Sequence, residues 1–447
     1  MKLIINGGKK LTGEITLSGS KNAATKMMIA SLLTDEPCRF ENFPMIGDTE
    51  ITAELCRTIG SEITLDKEKN ILSIHTPKIN NFKVDSLTRR NRIPILALGP
   101  LLARAGKAEV PIVGGDKIGP RPVDIHLNAL QEMGAGIEIN PTSYKASAPQ
   151  GLHGAKINFR FPSVGATENI ILAAALAEGR TVITNAATEP EIIELIKMLQ
   201  KMGAIIELGA NRTIYIDGVK KLKGITHEVM PDRMEAASFA CLSLATDGKV
   251  LIKKARQQDM ITFLNALRRI GGEYEVNDDG IIFYRSGPLK AIKIETDTHP
   301  GFMTDWQQPF VALLTQADGV SEIHETIYED RFGYAQDLNL MGAEIKVFSK
   351  CLGDLSCRFQ DKNFLHSASV KGPTPLRPAN LAVRDLRSGI VNIIAALIAN
   401  GQSIIDGIEE IDRGYFKLDE RLRGLGANIE RVVEAPETKL VPELKTA

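Results

Sequence analysis

One pattern ends six times along this chain in the same way: an apolar run of helical period closes on a glycine and passes into a short alternating strand. The closing glycines are Gly60, Gly134, Gly203, Gly271, Gly342 and Gly426. The clearest copy runs from Gly165 to Leu208. It holds an Ala/Ile/Leu-rich helix to Glu178, then Gly179, a strand at Thr181–Thr184, a turn at Glu189-Pro190 and a second helix. In that second helix Ile192, Leu195, Ile196, Leu199 and Met202 recur at three- and four-residue steps, so they share one buried stripe before Gly203 caps it. The same order fits Asp232–Tyr274, Thr304–Ile345, Asp385–Ile429, Lys21–Ile63 and Arg92–Ile137. Each unit carries a helix too apolar to face water and strands that need partners. Several units must therefore pack helices inward with sheets around them, an α/β arrangement. Periodicity alone is equally compatible with an inert solenoid and with an enzyme.

The 447 residues are too many for one compact core and imply two large domains or a repeat array. With 54 Lys+Arg against 55 Asp+Glu, the chain offers no bulk electrostatic attraction for nucleic acid or an anionic membrane, so a basic site must be local. The most apolar stretches, such as Ile93–Ala103, are too short or too broken by Gly-Pro to span a bilayer. Five cysteines, Cys38, Cys56, Cys241, Cys351 and Cys357, are odd in number and mostly far apart, which fits a reduced cytoplasm. No cysteine pair has zinc-ligand spacing, and the seven histidines do not pair with carboxylates or cysteines at such spacing, so no metal site and no cofactor are expected.

The helix starts separate the two readings. A helix N-terminus carries partial positive charge and favours Asp, Ser or Thr over a cation. Here Lys21, Arg92, Arg233 and Arg387 open the first helices of their units, and Arg121, Arg331 and Arg413 are expected to open second helices. Any one of them read singly is a solvated charge or a salt bridge. Seven at equivalent places in quasi-symmetric units converge on one end of the assembly, where helix amides add to the attraction for a multiply anionic ligand. Two carboxylates stand among them. Asp305 begins a helix and is readable as a plain N-cap, whereas Asp116 lies in Gly114-Gly115-Asp116-Lys117-Ile118-Gly119-Pro120-Arg121, a loop with the make-up of a catalytic lid.

These residues carry a resemblance. Ser18-Gly19-Ser20-Lys21-Asn22-Ala23, Ala97-Leu98-Gly99-Pro100, Arg121-Pro122-Val123-Asp124, Ser163-Val164-Gly165-Ala166-Thr167, Met230-Pro231-Asp232-Arg233, Thr304-Asp305, Asp385-Leu386-Arg387 and Ile411-Asp412-Arg413-Gly414-Tyr415 resemble the UDP-N-acetylglucosamine enolpyruvyl transferases, over roughly residues 1–432. The resemblance implies a two-domain inside-out α/β barrel of six βαβαββ-type units, with one domain over 22–230, the other over 1–21 and 231–433, and a loose tail at 434–447. It implies transfer of the enolpyruvyl group of phosphoenolpyruvate to the 3-hydroxyl of the nucleotide sugar with release of phosphate, the first committed step of peptidoglycan synthesis.

The roles it implies fall on named positions. Lys21, Asn22, Arg121 and Arg413 look like phosphoenolpyruvate contacts. Asn22, Arg92, Arg121, Pro122, Val123, Asp124, Ile125, Ser163, Val164, Gly165, Asp305 and Ile327 look like nucleotide-sugar contacts. Arg233, Arg331, Asp385 and Arg387 look like supports. Catalysis would rest on Asp116, Lys21, Asp305 and Arg413, with Asp305 taking the hydroxyl proton. Asp116 stands where the family most often has a cysteine that serves as general acid and is alkylated by the epoxide fosfomycin. A carboxylate is a poorer epoxide nucleophile, so resistance is expected. Substrate anions would raise the Asp116 pKa while Arg121 and Lys117 would lower it, and sequence leaves that sign open. A second departure is the long 348–375 segment, expected as a surface hairpin. The alternatives are a 5-enolpyruvylshikimate-3-phosphate synthase, which typically follows its lysine with small hydroxyl residues, and a paralogue that binds nucleotide sugar without turnover.

Overall fold

The structure, a computed structural model, describes residues 1–85, 87–88, 91–114, 119, 122–354 and 357–433. The repeat glycines do what their positions require. Gly60, Gly134, Gly203, Gly271, Gly342 and Gly426 all have positive φ, between 90° and 130°, where a side chain would be strained. Each reverses the chain out of a helix and into the strand that follows it.

Six sheets result. In the unit after Lys156 the order is strand Lys156–Asn158, helix Val164–Ala174, strand Arg180–Thr184, helix Pro190–Met202 and the hairpin Ile205–Gly209 with Thr213–Asp217. The last hairpin strand pairs antiparallel with Arg180–Thr184, which pairs parallel with Lys156–Asn158 on its other side. This is the expected βαβαββ unit. Its first helix ends at Ala174, earlier than the periodicity suggested, because the backbone tightens into a turn in which Ala177 N–H donates to the Ala174 carbonyl.

Two units exchange strands. Thr12–Thr16 pairs parallel with Lys249–Lys253, while Thr226–Glu228, which precedes the helix Arg233–Ala245, pairs parallel with Cys38–Glu41. The N-terminal strand Lys2–Gly7 lies between Gly401–Asp406 and Asn428–Val432 and completes the last sheet. The two crossing segments run side by side: Ser20 N–H donates to the Met230 carbonyl at 2.7 Å and Asp232 N–H to that of Ser18 at 2.9 Å.

Buried apolar side chains form two clusters, one from residues 23–230 and one from residues 3–17 with 234–429. At the centre of the second lie the helices Arg233–Ala245, Thr304–Leu314 and Leu386–Ile398. Every residue of Arg233–Ala245 is buried, as expected of a helix apolar on all sides. Truncating a side chain there, such as Phe239 to alanine, would cost about 3–5 kcal/mol. Helices are central and sheets peripheral, the inside-out α/β arrangement anticipated. The polar residues these helices carry are concentrated in their first turns, and that is where the site lies.

Candidate functional site

A cleft of about 360 Å³ lies between residues of the two cores. Its wall is built from helix beginnings. Lys21 and Asn22 start one helix, Ser163, Val164 and Gly165 another, Arg233 a third, Thr304 and Asp305 a fourth, and Leu386 and Arg387 a fifth. Each start is fixed locally. Asp232 caps its helix by accepting from Met234 N–H at 2.8 Å and also takes Lys21 N–H at 3.0 Å, tying two helices of different lobes together. Asp385 accepts from the amides of Arg387 and Ser388 at 2.9 and 3.1 Å, so it acts as a cap and does not line the cleft.

Asp305 is the electrostatic centre. Its carboxylate receives Arg387 Nε and Nη2 at 3.2 and 3.0 Å on one oxygen and Arg331 on the other. The plain N-cap reading fails, since Met303 occupies the cap position and the Asp305 side chain turns to the arginines. Burial alone would raise its pKa, but Arg387, Arg331 and Lys21 together hold it well below the usual carboxylate range. The side chain stays 22% exposed toward the cleft, against 3% and 8% for the two arginines.

Lys21 reaches the same region from the other lobe, with Nζ 2.8 Å from Asp48 Oδ2. Arg413 Nε approaches the other oxygen of Asp48 at 3.0 Å. Burial opposes ionisation of Asp48, yet the two cations lower its pKa below the ordinary value. Arg413 therefore stands behind Lys21 and does not itself line the cleft. Neither Arg331 nor Arg413 opens a second helix: these begin at Ala335 and Leu418, and both arginines lie in the preceding loops, where their side chains can turn back to Asp305 and Asp48. Arg233 makes a two-point ion pair with Glu191, both bonds 2.9 Å, across the lobes.

Of the remaining expected contacts, Arg92, Pro122, Ile125 and Ile327 line the cleft. Val123 does not, being only 8% exposed in the first core. Asp124 starts a helix and pairs with Arg160 at 2.6 Å; Arg160 is on the wall and Asp124 is not. Asp116 and Arg121 lie outside the described residues.

Several further groups at the cleft or behind it carry no signal in the sequence. Asp48 lies in the first turn of the helix Gly47–Ile59, where an acidic residue is ordinary. Glu325 is fully buried, and accepts from Thr304 Oγ1 at 2.9 Å and from the amides of Ile327 and Tyr328, which fixes the Ile327 loop. Glu168 lines the cleft with one oxygen that has no hydrogen-bond partner among the described residues and Lys26 3.8 Å from the other. Burial pushes its pKa up to about 7, against the pull of Lys26 and helped by Glu191 and Glu189. His126, also on the wall, is pushed down to about 3 by burial and by Arg92, and so stays neutral. All four sit inside helical or strand-end patterns whose apolar periodicity masks them.

Cations from elements of both cores, helix amides and the ionised carboxylate of Asp305 thus face a single cleft. That set can hold a compact anion beside a group that loses a proton. Of the seven cations expected to converge, Lys21, Arg92, Arg233, Arg331 and Arg387 line the cleft, Arg413 stands behind Lys21, and Arg121 lies outside the described residues.

Comparison with known proteins agrees with this architecture. The family model described as EPSP synthase (3-phosphoshikimate 1-carboxyvinyltransferase) matches residues 5–422. A UDP-N-acetylglucosamine 1-carboxyvinyltransferase of Protochlamydia amoebophila is 48% identical, covering 99% of this chain and 96% of that protein. The protein of the same name from Chlamydia abortus is 48% identical over 95% of this chain and 96% of its own length. Among solved structures, the enolpyruvyl transferase NikO from Streptomyces tendae superposes with a TM-score of 0.83 over 96% of this chain and 98% of its own, at 22% identity.

Proposed function

Since the chain belongs to the UDP-N-acetylglucosamine 1-carboxyvinyltransferase family, we propose that it transfers the enolpyruvyl group of phosphoenolpyruvate to the 3-hydroxyl of UDP-N-acetylglucosamine and releases phosphate. The observation that carries this reading is Asp305, ionised between Arg331 and Arg387 at the start of a helix that faces Lys21 across the cleft. A phosphate and a carboxylate on one small substrate match the cations, and a sugar hydroxyl matches the carboxylate.

The chemistry then runs as addition and elimination. A general acid protonates the methylene carbon of phosphoenolpyruvate. The sugar oxygen bonds to the adjacent carbon, and its proton passes to Asp305. Loss of phosphate and of one methyl proton restores the double bond. Because its arginines hold Asp305 well below the usual range, it is a weak base toward a neutral alcohol. It accepts the proton as the C–O bond forms and the hydroxyl becomes acidic. Substrate anions that draw Arg387 and Lys21 away would strengthen it at that moment.

Asp116 is assigned here as the general acid in place of the family's usual cysteine, with residues 22–230 and 1–21 with 231–433 as the two domains that carry the halves of the site. Asp116→Asn is expected to lose most turnover, and full activity would remove it from that role. Fosfomycin is expected to leave the chain unmodified at ordinary drug concentrations; an adduct in intact mass spectrometry would contradict this. The defining test mixes the protein with phosphoenolpyruvate and UDP-N-acetylglucosamine and measures phosphate, with shikimate-3-phosphate as control. Phosphate release with the nucleotide sugar alone is expected. Release only with shikimate-3-phosphate would mark the alternative synthase, and release with neither would mark a binding paralogue.

A further inference from the structure

Away from the cleft's reacting groups, four soft or borderline ligands meet. His324, Cys351, Cys357 and His366 each offer one atom, and those atoms all lie within 4.8 Å of one another. We propose that these four side chains bind one structural zinc ion as a Cys2His2 site that fastens the connection between the strands Glu344–Phe348 and Ser367–Gly372 to the sheet.

The geometry of the histidines points to a metal rather than to chance packing. Both are fully buried. His324 Nδ1 lies 3.1 Å from Glu295 Oε2, and His366 Nδ1 lies 2.7 Å from the Phe364 carbonyl. Each acceptor requires a proton on Nδ1, which leaves the Nε2 lone pair of both rings free to ligate. A carboxylate or carbonyl behind a ligating imidazole is the usual outer support of a zinc site. Among the described residues, His324 Nε2 is buried without a hydrogen-bond partner, a state that costs free energy unless something occupies the position. His366 Nε2 already lies 3.3 Å from Cys351 Sγ. With zinc–sulfur bonds of about 2.3 Å and zinc–nitrogen bonds of about 2.0–2.1 Å, tetrahedral ligand atoms stand roughly 3.3–3.8 Å apart. The observed spread closes to that with small side-chain movements.

The support around the site is built for it. Glu295 also accepts from Asp354 N–H at 2.6 Å, so one carboxylate holds both a ligand and the loop carrying two more. Gly353 packs so closely that an added Cβ would fall 1.9 Å from Glu295 and 2.2 Å from His324 Nδ1. Cys357 Sγ accepts from Phe359 N–H at 3.4 Å, a contact that fixes the position of the sulfur. Phe359 covers the cluster, with its ring 5.5 Å from that of His366. Two thiolates and two imidazoles in a closed tetrahedron select zinc over hard cations.

The cluster corrects two sequence expectations. The 348–375 segment is not a simple surface hairpin, because Phe359 and His366 are buried against the sheet. The absence of metal-ligand spacing was also misleading, since one ligand comes from a strand far upstream and five residues separate Cys351 from Cys357. The neighbouring Arg358 donates to the Ile327 carbonyl and reaches Glu329 at 3.4 Å, and all three residues line the cleft. A fastened loop would thus set one edge of the ligand pocket.

Elemental analysis of the full-length protein, purified without chelators, is expected to find one zinc per chain. Exchange with cobalt(II) under reducing conditions should give thiolate-to-cobalt charge transfer and strong tetrahedral d–d bands. Cys357→Ser and His366→Gln should each abolish the stoichiometric metal and speed proteolysis within 349–366. Wild-type protein that holds no zinc and shows no cobalt–thiolate spectrum overturns the proposal whatever the variants do. So does a Cys351–Cys357 disulfide in protein trapped by alkylation at lysis, or zinc retained undiminished by the Cys351→Ser, Cys357→Ser double variant.

Discussion

Asp48 and Asp305 are alike in composition and different in place. Each is an aspartate in the first turn of a helix, gripped by two cations, with a pKa below the ordinary value although burial opposes ionisation. The Asp48 side chain is 7% exposed, sits between Lys21 and Arg413, and does not line the cleft. That of Asp305 is 22% exposed between Arg331 and Arg387, at the cleft wall. The same electrostatic unit thus serves once as a clamp that aims Lys21 from behind and once as a carboxylate open to a ligand. Access, rather than charge, separates the two roles.

The largest expected effect follows from that difference. Asp305→Asn should lower turnover by roughly 10²–10⁴-fold, the usual range for a lost proton acceptor. Asp48→Asn should act mainly by raising the KM for phosphoenolpyruvate through a misplaced Lys21. Steady-state kinetics on both variants decide it. An Asp48→Asn enzyme with unchanged KM and a collapsed kcat would reverse the assignment.

Stability offers the second comparison. Asp48→Ala leaves Lys21 and Arg413 as neighbouring, poorly solvated cations, with an expected loss of about 3 kcal/mol in denaturant unfolding at neutral pH. Its pKa is depressed in the folded state, so this contribution is present above the unfolded value of about 3.9 and fades as pH falls through the folded one. The gap between wild type and variant should therefore shrink on acidification below about pH 4. A gap that grows there would contradict the ion-pair account.

Glu168 sharpens the comparison from the opposite side, as a buried carboxylate whose ion-pair partner Lys26 stands off at 3.8 Å. Its pKa is raised to about 7. Between roughly pH 4.3 and that value the unfolded chain has released a proton that the folded chain still holds, so folding stability declines as pH rises and then levels. Glu168→Gln copies the neutral form. It should match wild type near pH 4 and exceed it by up to about 3.5 kcal/mol at pH 8, at 1.36 kcal/mol per pKa unit. Parallel melting curves across that range would sink the assignment of a neutral Glu168.

The fold was more legible than the site. Periodic apolar residues and six glycines report on the chain's own local geometry, and all six glycines adopt the left-handed turn that only their position demanded. Helix N-terminal cations were equally legible, because they break a local rule at Lys21, Arg233 and Arg387. Arg331 and Arg413 followed a weaker local cue and were placed on helices they precede. Asp48, Glu168 and Glu325 break no rule in their own segments, and their meaning depends on partners up to hundreds of residues away.

Composition and order of residues by themselves determined the repeat, the inward helices and the presence of a cation-rich end, since each depends on contacts within about forty residues. Only the tertiary structure decided which cations face the cleft and which stand behind it. It alone brought His324 to Cys351, Cys357 and His366. The reason is physical: backbone preferences act between near neighbours, whereas burial, desolvation and ion pairing depend on which distant segments exclude water together.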